Sequence, residues 1–565
     1  MTFVGSLGIV LLAIITIVLA IPLGTYMYKV FSGQKTFLEG IFSPAERALY
    51  KLMGVNAEAE MTWYVYTKNF LILNLVMFLV GYLFLRLMGH LPLNPDHIPS
   101  MNWNLAFNTA ISFMTNTNWQ AYAGEQSMSY LGQMIFVQFL QFTSIATGVA
   151  VAIAFVRGFV TKTGSLGKFW SDFVRVITRV YLPLSIVFGV LFLALGSPQT
   201  LHGAAVVHTL QGAKQTISRG PVASLEAIKQ LGNNGGGFFN ANSAHPFEGP
   251  NAFSDVLGII AMSLIPTALV ITFGQFIKNK KQARVLYTFL MGTLVLGAFV
   301  VYASEAAGNP ILAHVLGIHG ANWEGKEVRF GPALSSYFVS ATTAYTTGAV
   351  NTMHDSLTPL GGLVPLGNMM LNMVFGSGGA GLLNILMMMI ITVFLSGLMV
   401  GRTPEFLGKK IQAKEIKLAT VAMLVHPFLI LVFTAIAVIT KAGLAGIYNP
   451  GLHGFTEVLY AYTSGAANNG SAFAGLGANT PFYNVTIGID MLVARFVSIV
   501  AMMAIAGSLA TKKSVPASAG TLATDTYSFG FVFMAVVLIV GALTFFPAVA
   551  IGPIAEHLTM WAQGR

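Results

Sequence analysis

The stretch Asn233-Asn234-Gly235-Gly236-Gly237-Phe238-Phe239-Asn240-Ala241-Asn242-Ser243 sets amides, glycines and a hydroxyl between long apolar segments. Consecutive glycines admit positive φ, so such a chain can turn its carbonyls toward a common point. Within a bilayer, irregular backbone survives only where protein or a water-filled path surrounds it. The chemistry this composition suits is coordination of a desolvated cation by carbonyl and amide oxygens. A glycine-rich surface turn has the same composition, so recurrence decides between them. Thr115-Asn116-Thr117-Asn118-Trp119 precedes the stretch, and Thr346-Thr347-Gly348-Ala349-Val350-Asn351-Thr352 and Asn468-Asn469-Gly470-Ser471-Ala472-Phe473 follow it. With Asn116, Gly235, Gly348 and Gly470 as markers, the spacings are 119, 113 and 122 residues. Near-regular recurrence is the signature of an internal repeat. Potassium filters use four loops of backbone carbonyls to replace the ion's hydration shell. The cores of the four loops hold no Asp or Glu, which suits a monovalent ion rather than a divalent one. Asn116, Asn118, Asn233, Asn234, Asn468 and Asn469 either hold the loop backbones by hydrogen bonds or do ordinary turn chemistry.

The elements that carry these loops follow from composition. The chain of 565 residues is 55% hydrophobic and 9% charged, with mean hydropathy +0.72. Those values belong to an all-α polytopic membrane protein. It contains no cysteine, which excludes disulfides and thiolate metal sites. The first apolar segment, about 4–28, lacks a basic leader and a small-residue cleavage pattern and reads as a retained helix. Ten stretches reach the roughly 20 apolar residues that a bilayer crossing needs. They centre near residues 15, 79, 143, 186, 266, 295, 387, 430, 498 and 537. Four shorter stretches, Trp103–Met114, Ser224–Leu231, Leu334–Tyr345 and Phe455–Ser464, each lead into one polar loop. They read as half-helices that enter the membrane and stop, with the negative end of the helix dipole toward a cation.

With the N-terminus outside, the connections after spans 1, 3, 5, 7 and 9 are cytoplasmic and carry 21 of the 30 basic residues. The positive-inside rule selects this orientation, with both termini and all four loops outside. The net charge of +10 is thus a topology signal, with attraction to anionic lipid as a second possibility and no nucleic-acid partner. Spans 2 to 9 divide into four units of span, half-helix, loop and span. The expected units are an N-terminal helix at 1–28, repeats at 69–158, 175–278, 285–401 and 417–511, and a C-terminal helix at 526–548. Parallel repeats place a site on their common axis.

Several residues lie near the loops without belonging to them. His245, His354, Glu248 and Asp355 follow the loops and read as solvated mouth residues. Span 7 is broken by Gly376-Ser377-Gly378-Gly379-Ala380-Gly381, four glycines in six positions. Such a break beneath a filter suits a gate or the wall of a side path, and close helix packing through small residues is the alternative. Arg402 at the inner surface either binds lipid head groups or faces the pore. No phosphate-binding loop is present. Thr161-Lys162-Thr163-Gly164-Ser165 imitates the phosphorylation motif of P-type ATPases, but a threonine stands where the phosphate-carrying aspartate belongs. The longest cytoplasmic connection, about 28–69, is too short for a nucleotide domain.

NNGGGFFNANSAHP at 233–246, TTGAVNTMHDS at 346–356, NNGSAFAGL at 468–476 and GRTPEFLGKK at 401–410 closely resemble the KdpA family, the potassium-binding subunits of the bacterial Kdp potassium-transporting ATPase. The resemblance covers essentially the whole chain. It implies the fold of potassium channels and of the superfamily of potassium transporters, with four membrane–pore–membrane repeats. It implies a non-catalytic subunit in a bacterial inner membrane that carries K+ and binds no ATP. The implied partners are the P-type ATPase subunit KdpB, with KdpC and KdpF. The implied filter residues are Thr115, Asn116, Thr117 and Asn118; Asn234, Gly235 and Gly236; Thr347, Gly348 and Ala349; and Asn468, Asn469 and Gly470. The implied gating loop is Gly376–Gly381. Two other readings compete: a self-sufficient potassium channel or ion-coupled transporter of the same fold, and an intramembrane enzyme using the histidines. The last is weakened because no His–carboxylate pair stands at catalytic or metal spacing within a span.

Overall fold

The computed structural model describes residues 1–401, 404–516 and 521–564. Arg402 lies outside the described residues. Ten helices among them are long and apolar enough to cross a membrane: Phe3–Phe31, Trp63–His90, Gly132–Val160, Phe169–Leu195, Ala252–Phe276, Lys280–Leu316, Ala380–Met399, Ala413–Ile439, Pro481–Thr511 and Tyr527–Gln563. Each contains one of the ten expected centres. Their burial sorts them. The most apolar stretch of the third span is 89% buried and that of the fifth 78%, against 28% for the first and the tenth. Spans 3 and 5 therefore form the middle of a bundle, and spans 1 and 10 offer apolar surface to lipid.

The four short helices form as expected in place and differ at their ends. They run Trp103–Met114, Val222–Leu231, Gly331–Ala344 and Leu452–Ala467. The first begins where the Asn102 side chain accepts from the Leu105 N–H. The third begins at Gly331-Pro332, whose proline is preset for a helix start. All four are buried along most of their length, which a surface turn would not be.

Span 7 departs from a single broken helix. A separate helix, Pro359–Leu371, follows the third loop, and the chain is irregular over 372–379 before Ala380–Val400 begins. Ala380 and Gly381 therefore belong to the first turn of the helix rather than to the break. Asn372, Phe375, Gly376 and Gly379 have positive φ, which no continuous α-helix accommodates. A β-carbon on Gly379 would stand 2.2 Å from the Gly148 carbonyl oxygen, so only glycine lets the break lie against span 3.

Among the described residues, the paired strands form three two-stranded ladders. The longest is a hairpin pairing Ala205–His208 with Lys214–Ile217 between span 4 and the second short helix. Residues 162–164 form a bend leading into Ser165–Gly167, which pairs with Met61–Thr62.

Candidate functional site

The four loops share one backbone. Each short helix ends in a Schellman motif, in which two successive N–H groups fold back onto the last turn. The first of these bonds runs from Asn116 to Phe113, from Asn233 to Gln230, from Thr346 to Thr343 and from Asn468 to Gly465. The second runs from Thr117 to Ser112, from Asn234 to Lys229, from Thr347 to Thr342 and from Asn469 to Ser464, at 2.7–3.0 Å. The residue that closes each helix has a left-handed conformation, with φ of 60°, 48°, 49° and 54° at Asn116, Asn233, Thr346 and Asn468. Two residues on, φ is positive again: 55° at Asn118, 85° at Gly235, 84° at Gly348 and 98° at Gly470.

This register corrects the sequence alignment. The counterpart of Gly235 is Asn118, not Asn116, so the first spacing is 117 residues rather than 119. Loop 1 lacks glycine because asparagine tolerates the left-handed region better than other side chains do. The equivalent triplets are 116–118, 233–235, 346–348 and 468–470. The expected filter sets were staggered against one another, and Thr115 belongs to the helix cap.

The loops close into a ring in chain order. A β-carbon on Gly235 would lie 2.3 Å from the Thr347 carbonyl oxygen, one on Gly348 1.9 Å from that of Asn469, and one on Gly470 2.1 Å from that of Thr117. Loop 1 meets loop 2 through Asn118, whose Nδ2 donates to Asn234 Oδ1 at 3.2 Å. Thus Gly235, Gly348 and Gly470 each abut the middle carbonyl of the next loop's triplet, and Asn118 meets loop 2 through the side chain of its middle residue, Asn234. Among the described residues, no hydrogen-bond donor reaches the carbonyls of Thr117, Asn234, Thr347 or Asn469. By contrast, Gln141 donates to the Gly236 carbonyl at 2.7 Å, Thr342 Oγ1 to that of Ala349 at 2.6 Å and Asn242 Nδ2 to that of Gly235 at 2.7 Å.

The loop amides bind protein groups. Asn116 Nδ2 donates to the Asn233 carbonyl at 2.9 Å, Asn233 Nδ2 to Thr347 Oγ1 at 3.0 Å, Asn468 Nδ2 to Thr117 Oγ1 at 3.0 Å and Asn469 Nδ2 to the Thr342 carbonyl at 3.0 Å. Ser144 Oγ donates to Asn116 Oδ1 at 2.8 Å from span 3. The oxygens left without donors are thus backbone carbonyls, and the side chains hold that backbone in place.

Loop 2 has a charged support that the sequence reading missed. Ser112, Thr342 and Ser464 occupy the equivalent position in loops 1, 3 and 4, and Lys229 occupies it in loop 2. Its ammonium is fully buried, 2.6 Å from both Glu226 and Glu248, and donates to Asn242 Oδ1 and Ser243 Oγ. Glu248 Oε1 accepts from the Phe239 N–H at 2.8 Å. Glu248 is thus a buried counter-ion, not a solvated mouth residue. His354 is also buried, bonded through Nδ1 to the Tyr460 hydroxyl at 2.8 Å. Burial, with the Lys326 charge, pushes it down to about 3, so it is neutral. His245 stacks on Phe239 with ring centres 3.6 Å apart, and Asp355 pairs with His453 at 3.0 Å. The sequence signal for Lys229 was present, since a lysine and a glutamate three apart stand in a stretch that had to be buried.

A cavity of about 690 Å³ opens on one side of the ring, and Asn118, Gly235, Gly348 and Gly470 all line it. On the other side, the break over 372–379 closes against the bases of three loops. The Gly378 N–H donates to Asn233 Oδ1 at 3.1 Å, the Gly376 N–H to the Ala344 carbonyl at 2.9 Å and Asn372 Nδ2 to the Ala467 carbonyl at 3.5 Å. Beside it a second cavity of about 100 Å³, lined by Asn372, Ser377, Asn468 and Arg495 among others, runs between spans 7 to 10.

The model of the KdpA family, described as the potassium-transporting ATPase A subunit, matches residues 10–558. The chain belongs to that family. A KdpA relative from Alicyclobacillus acidocaldarius subsp. acidocaldarius, named as the potassium-transporting ATPase potassium-binding subunit, is 63% identical over 561 residues, which cover 99% of this chain and 100% of the relative. The crystal structure of the potassium transporter TrkH from Vibrio parahaemolyticus superimposes with a TM-score of 0.51 at 14% identity, over 88% of this chain and 98% of that one. At that identity the likeness is one of fold. The chain thus shares its fold with that transporter, and its ten apolar helices make it a multi-pass membrane protein.

Proposed function

We propose that the chain is the potassium-binding subunit of an ATP-driven uptake system and that the ring of four loops is its filter. The observation that carries this reading is the set of four middle carbonyls of the triplets, Thr117, Asn234, Thr347 and Asn469, left without donors among the described residues in a closed ring. Carbonyl dipoles without carboxylates favour a dehydrated monovalent cation, and rings of carbonyls of this kind discriminate K+ from Na+. The spans, half-helices and loops then form four membrane–pore–membrane repeats, at about 69–158, 175–278, 285–401 and 417–511. The 690 Å³ cavity is the outer vestibule, with both termini on its side of a bacterial inner membrane.

Uphill movement needs an energy input, and the chain has neither a phosphate-binding loop nor the aspartate that a P-type ATPase phosphorylates. The energy therefore comes from a partner ATPase subunit, KdpB, accompanied by KdpC and KdpF. The break at 372–379, including Gly376, Ser377, Gly378 and Gly379, obstructs a straight passage, and K+ leaves sideways through the cavity between spans 7 to 10. Basic residues at the inner face attract anionic lipid.

The test uses vesicles that hold this chain alone or with its co-purified partners. Alone, it shows no ATP hydrolysis and little K+ flux. With the partners, hydrolysis and uptake appear together. Deletions within 376–379 raise downhill flux or uncouple hydrolysis from transport. Rapid K+ flux through the unmodified chain alone makes it a self-sufficient channel and overturns the reading.

A further inference from the structure

Away from the ring, three parts of the fold bring acidic and imidazole groups together. Asp355 sits in the single turn His354–Ser356 that follows the third loop. His453 and Glu457 lie four residues apart on the fourth short helix, so they project from one face of it. Glu556 comes from the C-terminal helix Ala555–Gln563. We propose that Asp355, His453 and Glu457, with Glu556 beside them, bind a divalent transition-metal ion such as Zn2+ or Mn2+.

One ligand atom from each of Asp355, His453 and Glu457 lies within 4.8 Å of the others, a cluster that a single ion can bridge. His453 Nε2 is 3.0 Å from Asp355 Oδ1, and its Nδ1 is 2.7 Å from Glu556 Oε1. Asn449 Nδ2 donates to Glu457 Oε1 at 2.7 Å and to Asp355 Oδ2 at 3.4 Å, holding the two carboxylates toward each other.

Two features ask for a cation. The first is charge. Three carboxylates face one imidazole, and among the described residues no Lys or Arg pairs with any of them. The second is Glu457 itself. It is fully buried, and its Oε2 has no hydrogen-bond partner. A buried carboxylate oxygen without a partner is costly, and a bound dication removes that cost. The donor set selects the ion. Imidazole nitrogen favours Zn2+ and its neighbours in the transition series, while carboxylate oxygen also suits Mn2+. A cavity of about 490 Å³ reaches Asp355, Asn449, His453 and Glu556 and gives an ion a way in.

The site is linked to the ring through intervening side chains. His453 stacks on Phe473 with centres 6.1 Å apart, and Phe473 stacks on Tyr460 at 4.1 Å. The Tyr460 hydroxyl bonds Ser471 of loop 4 and His354 beside loop 3. A bound ion would tie the C-terminal helix to the far ends of loops 3 and 4.

The experiment uses the full chain, purified in detergent, stripped with chelator and titrated calorimetrically with Zn2+ alone and then with Mn2+ alone. The expected result is one equivalent of at least one of these ions, retained on gel filtration. Glu457→Gln and His453→Gln each weaken binding at least about tenfold, the scale on which metal sites lose affinity when their shell is altered. Glu327→Gln, a control at an exposed ion pair, leaves binding unchanged. If either ligand variant fails to fold, Asp355→Asn takes its place, with folding checked by thermal unfolding. Absence of stoichiometric binding to the wild-type chain overturns the proposal. So does equal binding by the His453→Gln/Glu457→Gln double variant.

Discussion

Loops 2 and 3 run the same backbone on opposite kinds of support. In loop 3 the brace is a hydroxyl: Thr342 Oγ1 donates to the Ala349 carbonyl at 2.6 Å. In loop 2 the equivalent residue is Lys229, which reaches the loop indirectly. Its ammonium donates to Asn242 Oδ1, and Asn242 Nδ2 donates to the Gly235 carbonyl. Asn242 Oδ1 also accepts from the Val350 N–H, so the charged brace of loop 2 reaches loop 3. The difference teaches that helix termination sets this conformation and that side chains of very different chemistry can then hold it. It also divides the risk, because a hydroxyl brace can be lost cheaply and a buried ion triad cannot.

The sharpest way to break the comparison is Lys229→Met. It leaves Glu226 and Glu248 buried without their cation, a loss of about 3–5 kcal/mol for a buried pair. Thermal unfolding of the purified chain should show a large fall. The triple variant Lys229→Met/Glu226→Gln/Glu248→Gln should recover most of it, since replacing a whole buried ion cluster is often near neutral. If the single and triple variants are equally stable, the triad is no brace.

Next in size is Thr342→Val, which keeps the shape and removes one hydrogen bond. Losing a buried hydrogen bond costs about 1–3 kcal/mol, so K+ affinity measured by titration should fall by roughly fivefold or more. Equal losses for Thr342→Val and Lys229→Met would erase the distinction between the two braces.

The smallest expected effect is at loop 1. Asn118 stands at φ 55°, where Ala is strained by about 1–2 kcal/mol and Gly is not. Asn118→Gly should therefore be milder than Asn118→Ala, in both unfolding temperature and K+ affinity. The reverse order would show that the Asn118 amide, not its backbone, is what loop 1 needs.

These cases also show what was legible in the sequence. The ten spans and four short helices were readable because apolar runs of fixed length alternate with small polar ones. The short helix Trp103–Met114 was placed to the residue, while the ends of the other three moved by up to three residues. The register of loop 1 was misread by two positions because Asn118 does a glycine's work without being one. The Glu226–Lys229 spacing signals a buried ion pair, but not a brace for the loop, since the partners Asn242, Ser243 and Glu248 are 13 to 19 residues away and meet Lys229 only once the loop folds back. The cluster at Asp355, His453 and Glu556 is more distant still. Its members are about 100 residues apart in sequence and are joined only by the packing of the C-terminal helix.

The central claim is that the ring of four carbonyls selects potassium, and Gly348 tests it most directly. A β-carbon there would lie 1.9 Å from the Asn469 carbonyl oxygen, in a backbone with φ 84° that disfavours any side chain. Gly348→Ala thus displaces a ring carbonyl without adding charge. The deciding measurement is K+ and Na+ titration of the wild-type and Gly348→Ala chains, purified side by side. The account predicts K+ binding with Na+ excluded in the wild type, and a loss of at least about 100-fold in K+ affinity in the variant, equivalent to about 2.7 kcal/mol. A folded Gly348→Ala chain that binds K+ and rejects Na+ as the wild type does would contradict it.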